Sequence, residues 1–297
     1  MLTTSRGLPV RRLTVQRNGA ESASAWWELV TCDVDEHLRE HVVDWCGFTE
    51  WTAERSRRRE VPAGIVPLIL DFHGAYRVAT DHEMSGWTSH HVGFAAGLHE
   101  SYALTESIGR AGGMQLNFTP VGAYLFFGRP MSDLTNRVVS VDDLLGAWAT
   151  ELVDRLRDAL DWETRFDLLE EAIVRRLAAA RAAAPSVVWA WRQLARTAGR
   201  IEVGRLADEI GCSRKHLIAQ FRDQIGVPPK TVARILRFSR AVKLFATRRE
   251  LTGADVALAC GYFDQAHFNK DFREFAGLTP TEYLRHRLPD LTSISND

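Results

Sequence analysis

Two short stretches near the C-terminal end carry side chains suited to reading the edges of nucleic-acid bases. One holds Lys215, Ile218, Ala219 and Arg222; the other holds Gln265, Ala266, Asn269 and Lys270. At helical pitch each set falls on one face. Glutamine and asparagine match the donor and acceptor of adenine, lysine and arginine match the acceptors of guanine, and small apolar groups fit a thymine methyl. The cations around them, Arg214, Lys230, Arg234, Arg237 and Arg273, have the chemistry of phosphate ligands. On a single helix such a face is more often merely solvated. Its occurrence twice, in matching frames, reverses that reading.

The frames match because the segment repeats. Leu206-Ala207, Ile210 and Gly211 correspond to Val256-Ala257, Cys260 and Gly261 at an offset of 50 residues, and Leu217, Phe221, Gly226 and Pro229 correspond to Phe268, Phe272, Gly277 and Pro280 at an offset of 51. The extra residue falls in the turn after the glycine, where an insertion costs least. Each repeat reads as helix, glycine-containing turn, helix. Ala207 and Ala257 allow two helices to cross closely, and Gly211 and Gly261 supply a left-handed helix end. Ser213 and Asp264 stand where the second helix of each unit needs an N-cap. The pairs Leu217/Phe221 and Phe268/Phe272 anchor it from within. His216 and His267 are read as packing residues beside the turn.

The run from Ala257 to Phe272 (ALACGYFDQAHFNKDF), closed by Gly277-Leu278-Thr279-Pro280 and Tyr283, resembles the signature of the AraC/XylS family of bacterial transcription regulators. Leu206-Ala207, Gly211-Cys212-Ser213, His216-Leu217, Phe221-Arg222, Gly226 and Pro229-Lys230 resemble the first unit of the same family. The resemblance covers about residues 187–288 and implies a seven-helix domain with a long central helix, to which Val232, Ile235, Leu236, Ala241, Val242 and Phe245 lend an apolar stripe. A connector of about 15 residues spans roughly 22 Å. It would hold two recognition helices about one DNA turn, roughly 34 Å, apart. Thr279, Pro280 and Glu282 read as N-cap, first-turn proline and capping-box carboxylate of a last helix. Ile218, Ala219, Pro228 and Val232 depart from the residues common in the family at those places. The implied partner is double-stranded promoter DNA. On the side of control, the resemblance implies a small-molecule effector, a second copy of the chain, and RNA polymerase.

Charge divides the chain in the same place. The net charge is -1, but residues 1–185 hold 19 Lys and Arg against 26 Asp and Glu, while residues 186–290 hold 18 against 11. A basic module joined to an acidic one fits a polyanion binder carrying a second domain. Composition and charge change at Ala178–Pro185, where the proline also stops a helix. The domains are therefore set at 1–184 (β-rich over 12–136, helical over 142–184) and 185–290, with 291–297 as a flexible tail. The fold class is α+β: a mainly β, cupin-like N-terminal domain ending in a helical hairpin, then an all-α domain with two helix-turn-helix units. Expected strands are Ile65–Phe72, with Pro67 placing it at an edge, Ala75–Ala79, His90–Ala96 and Met114–Thr119. The stripes Leu145, Trp148, Leu152, Leu156 and Phe166, Leu169, Ile173, Leu177, Ala180 suit either a hairpin packed on its own domain or a dimer seam.

The remaining chemistry is sparse. Cys32, Cys46, Cys212 and Cys260 form no metal-ligand spacing, so neither a metal nor a cofactor is expected. No apolar run reaches membrane length and no signal peptide is evident, which places the protein in the cytoplasm with reduced thiols. The stretch His82, Trp87, His90, His91, Phe94, His99 lacks the His-x-His pattern of a metal-binding cupin. Phe72, His73, Trp87, His90 and Phe94 are the candidate lining of an effector pocket. Arg55, Arg57, Arg58 and Arg59, flanked by Glu54 and Glu60, read as an exposed loop. No catalytic residue is assigned. Two alternatives stay open: an N-terminal half that only docks a partner, and a DNA-repair alkyl acceptor, which would need an activated cysteine that Cys32 and Cys46 do not offer.

Overall fold

The computed structural model describes residues 11–19, 25–80, 86–248, 250–286 and 293–295. Its elements are β1 (Thr14–Asn18), β2 (Ala25–Thr31), β3 (Val42–Glu60), β4 (Val66–Asp71), β5 (Arg77–Ala79), β6 (Thr88–Ser89), β7 (Gly93–Ala96), β8 (Ala103–Phe118), α1 (Pro120–Phe127), β9 (Val138–Ser140), α2 (Val141–Leu145), α3 (Ala147–Asp158), α4 (Trp162–Ala178), α5 (Pro185–Arg196), α6 (Val203–Ile210), α7 (Arg214–Gln224), α8 (Pro229–Thr247), α9 (Gly253–Ala259), α10 (Gln265–Ala276), α11 (Pro280–His286) and β10 (Ser293–Ser295). An antiparallel β domain with four α-helices (α1–α4) is thus followed by seven further α-helices (α5–α11) among the described residues.

The β domain is organised by its two long strands. β3 and β8 pair antiparallel along almost their whole length, β2 and β1 extend the sheet beyond β3, and β4, β7 and β9 extend it beyond β8. The β3/β8 register slips between Thr52 and Ser56, opposite Gly109, whose φ of +73° only glycine adopts without strain. Past this bulge β8 also pairs with β5. Pro67 was expected to mark an edge strand, yet β4 runs between β8 and β7. The proline is tolerated because the β7 ladder starts only at Leu68, so its missing N–H falls beyond that neighbour.

Apolar helix stripes close the core within one chain. Leu152, Leu156, Phe166, Leu169 and Ile173 are buried together with sheet residues such as Trp45, Leu116 and Phe118. The side chain of Asp161 caps α4 by accepting from Thr164 N at 2.8 Å. Phe126 stacks on Phe118 at 4.7 Å, and the Arg176 guanidinium lies over both Phe126 and Trp148. The hairpin-on-its-own-domain reading therefore accounts for most of both stripes.

The run Arg55 to Arg59 corrects the sequence reading. It is not an exposed loop but the far end of β3. Arg55, Arg57 and Arg77 converge on the buried Glu106 at 2.9, 2.8 and 3.2 Å, while Arg58 pairs with the buried Glu50. Glu50 also accepts from Tyr76 Oη at 3.0 Å and Ser107 Oγ at 3.1 Å. Inward carboxylates neutralise cations that the local sequence leaves unmatched. Residues 291–297 were expected to be a flexible tail, yet Ser293–Ser295 pair antiparallel with Glu60–Arg58 of β3; the rest of the tail lies outside the described residues.

Candidate nucleic-acid interface

Each unit builds its second helix from a capped start and an anchored underside. In the first, Ser213 Oγ accepts from His216 N at 3.2 Å and opens α7; in the second, Asp264 Oδ1 accepts from His267 N at 2.7 Å and opens α10. Leu217 and Phe221 are buried beneath α7, and Phe268 and Phe272 beneath α10. Phe272 touches the rings of Phe238, Phe245 and Tyr283, so α10 rests on both α8 and α11. Thr252 and Asp255 form a reciprocal capping box at the start of α9, and Thr279 with Glu282 do the same before α11. α8 starts at Pro229 after the N-cap Pro228, which offers no side-chain bond, and its 19 residues span about 28 Å.

The outward faces are open. Lys215, Ala219 and Arg222 on α7 are exposed and Ile218 half-buried; Gln265, Ala266, Asn269 and Lys270 on α10 are all exposed. Arg214, Lys230 and Arg273 are exposed as well. Arg234 and Arg237, expected as phosphate ligands, are both engaged inside the domain. Arg234 donates to Asp271 Oδ1 at 2.9 Å, lies 2.8 Å from Glu274 Oε2, and packs over the Phe275 ring. Burial alone would lower its pKa; the hydrogen bonds and charges of Asp271 and Glu274 outweigh it and raise the pKa. Arg237 donates to Gly199 O at 3.0 Å and lies over Tyr262. These two fix α8 to α10 and to the chain before α6. Together with Lys230, His267, Lys270, Asp271 and Glu274 they border a cavity of about 390 Å³ between α8 and α10. His267 packs edge-on against Tyr262. The signal for Arg234 was present in Asp271 and Glu274 but separated from it by the rest of α8, all of α9 and two loops.

The two units are held at equivalent corners by the N-terminal domain. Gly226 and Gly277, which the repeat aligns, end α7 and α10 with φ of +101° and +68°. Thr135 Oγ1 donates to Gly226 O at 2.7 Å, and Arg59 Nη1 donates to Ala276 O at 2.9 Å, the carbonyl next to Gly277. The Arg59 guanidinium lies 4.2 Å from the centre of the Tyr102 ring, and a Cβ on Gly277 would come within 2.2 Å of that ring. Sequence reading missed both grips, since neither Thr135 nor Arg59 is near a recognition helix in the chain.

The five residues expected to line an effector pocket do not converge. Phe72 lies under Arg165, Trp87 beside Arg57 and Arg77, and His73 is exposed. His90 shares a 2.7 Å hydrogen bond with Ser140 and touches Phe94, which packs with Ile69 and Val78 in a separate small core. Strand alternation and turns send neighbours in sequence to different sides of the sheet. His82 lies outside the described residues. A cleft of about 410 Å³ lies elsewhere, where the β domain, the linker and α5 meet; it is bordered by Arg39, His41, Val121, Leu125, Trp191 and Arg192, among others. Asp35, His37 and Glu170 also bring ligand atoms together, with the Arg11 guanidinium paired to Glu170. Burial raises the thiol pKa of Cys32, of Cys46 to about 12 and of Cys260 to about 11, away from a nucleophilic thiolate. No helix among the described residues is long and apolar enough to cross a membrane.

Comparison with known proteins yields two family matches: a helix-turn-helix domain over residues 206–286 and a domain of unknown function, DUF6597, over residues 35–140. The chain is 34% identical over 73 residues to the F1 operon positive regulatory protein of Yersinia pestis, covering 25% of this chain and 24% of that protein. It is 33% identical over 82 residues to the HTH-type transcriptional activator RhaR of Escherichia coli K12, covering 28% of each. The chain thus spans about a quarter of the length of the curated relatives it matches. Among solved structures, ToxT from Vibrio cholerae O395 covers 78% of this chain and 95% of its own at 12% identity, with a TM-score of 0.44.

Proposed function

With residues 206–286 belonging to the helix-turn-helix domains of the AraC/XylS family, we propose that the protein is a sequence-specific DNA-binding transcription regulator that lays α7 and α10 into successive major-groove segments of one duplex face. One observation carries this: two helices, equivalent by repeat, each capped at its start, anchored below and carrying exposed polar side chains on its outward face. Lys215, Arg222, Gln265, Asn269 and Lys270 read bases, Ile218 and Ala219 meet thymine methyls, Ala266 allows close approach, and Arg214, Lys230 and Arg273 meet phosphates. Selection from random duplexes with the full chain is expected to enrich two half-motifs spaced about 10 base pairs apart. No enrichment of any sequence overturns the proposal.

Reading and positioning separate by mutation. Lys270→Ala is expected to relax preference at one base position at a cost of about 1–3 kcal/mol. Lys230→Ala instead weakens all sequences alike and reduces the salt slope by about one. Both follow from affinity measured on the selected site and its single-base variants at several salt concentrations. An unchanged preference profile for Lys270→Ala removes its reading role.

The N-terminal domain acts, in this proposal, through the corners of α7 and α10. Arg59→Ala combined with Thr135→Val is expected to leave the half-motifs unchanged and to alter the preferred spacing between them, because the outer ends of both recognition helices are released. Identical spacing preferences for variant and parent, from selection on duplexes of varied spacing, would rule this out. A small effector has room in the cleft at the domain junction, beside Trp191. That position favours sensing over simple partner docking, because one occupant would touch the β domain, the linker and α5 at once.

A further inference from the structure

The second unit carries an apolar side chain that its own fold does not use. Phe263 is 93% exposed, immediately before the N-cap Asp264 of α10. At this position a hydrophobic residue ordinarily turns back onto the fourth residue of the helix and fixes the entry of the chain. Here that residue is Phe268, and the ring placed edge-on against it at 5.1 Å is Tyr262. The cause lies in the single residue by which the second turn exceeds the first. In the first unit Cys212 precedes the N-cap Ser213 and packs half-buried at the edge of the core. In the second, Tyr262 takes the inward place with only 4% exposure, and the next residue is displaced outward.

The displaced ring continues a face already described. It precedes Gln265, Ala266, Asn269 and Lys270 at the N-terminal end of α10, the end that leads into the groove in this class of motif. An aromatic ring beside polar readers has one apolar feature to meet in the major groove, the C5 methyl of thymine. We propose that Phe263 is a specificity-determining residue that packs against a thymine methyl at the edge of the α10 half-site. The inference rests on the DNA-binding reading above. It assigns to the second unit a preference that the first, with Cys212 at the same place, lacks.

Methyl removal from the DNA tests it without disturbing the protein. On the site selected by the full chain, each thymine of the α10 half-site is replaced singly by deoxyuridine, and affinities are measured for the parent, Phe263→Ala and Phe263→Leu. Burying one methyl corresponds to roughly a fourfold affinity change. One thymine is expected to show a loss of about that size with the parent. Phe263→Ala binds the thymine duplex more weakly and is indifferent to the methyl at that position alone, and Phe263→Leu retains part of the discrimination. Because the ring is exposed, thermal denaturation of both variants is expected to match the parent. Three results overturn the inference: a half-site without thymine at that end, a parent insensitive to every replacement, or Phe263→Ala with undiminished methyl sensitivity. Loss of transcriptional activation by Phe263→Ala with all duplex affinities unchanged also overturns it and assigns the ring to a protein partner. Failure of the full chain to select any sequence removes the DNA-binding reading itself, an outcome distinct from these.

Discussion

Asp271→Ala is expected to destabilise the C-terminal domain by about 3 kcal/mol and to weaken DNA binding at every sequence. The carboxylate side chain is 4% exposed and accepts from Arg234, whose side chain is 20% exposed and also lies on the Phe275 ring. Removing one partner of such a pair leaves a poorly solvated charge, which costs more than the pair itself contributes. The remaining exposure of Arg234 and its second partner Glu274 place the effect toward the lower end of the range for buried pairs. Asp271 also sits on the inner face of α10, so its loss disturbs how that helix leans on α8. Glu274→Ala provides the contrast: that carboxylate is 43% exposed, and its removal is expected to cost less than about 1 kcal/mol. Denaturant titration of both variants checks the difference. Equal losses would show that the inner pair has no special weight.

The features legible in the sequence are those whose partners lie within a turn or two. The caps at Ser213, Asp264 and Thr279 involve a residue and its third successor, the anchors Leu217/Phe221 and Phe268/Phe272 are four apart, and the left-handed glycines announce themselves. Repetition doubled each of these signals, so the two-unit domain could be drawn from the residues alone. What stayed hidden depends on pairing across distance. Arg55 to Arg59 looked like a solvated loop because its neighbours Glu54 and Glu60 seemed to balance it. The carboxylates that bind three of those arginines are Glu106 on the facing strand and Glu50, which lies before the β3 bulge. Arg234 looked free for the same reason, its acceptors lying 37 and 40 residues onward. The supposed pocket failed differently: Phe72, Trp87 and Phe94 are close in the chain but lie on a strand end, before a short strand and on β7, and their side chains part company.

The distant pairings around Glu106 carry the second large effect. Glu106→Ala is expected to lower the stability of the β domain by about 2 kcal/mol near pH 7. The side chain is 3% exposed and holds three guanidinium groups together, two of which also flank the Trp87 ring. Without it, three like charges converge on one spot; their partial exposure to water limits the cost. Burial pushes the Glu106 carboxyl up, but the hydrogen bond from Arg57 and the charges of Arg55, Arg57 and Arg77 outweigh it and hold the pKa below the ordinary 4.5. The unfolded chain therefore binds the proton first as pH falls. The stability supplied by this group is complete above 4.5 and disappears as pH drops through the lower, folded value. The gap between parent and variant is accordingly expected to close on acidification below that point, and a gap that widens or stays constant in acid denaturation would contradict the assignment. Arg57 and Arg59 share one side of β3 by strand alternation, and Arg59 is the residue that grips the end of α10. Loosening the Glu106 cluster should therefore reach the second recognition helix: Glu106→Ala is expected to reproduce, in part, the altered half-motif spacing of the variant that combines Arg59→Ala with Thr135→Val, whereas Arg17→Ala, an exposed site on β1, leaves the spacing unchanged.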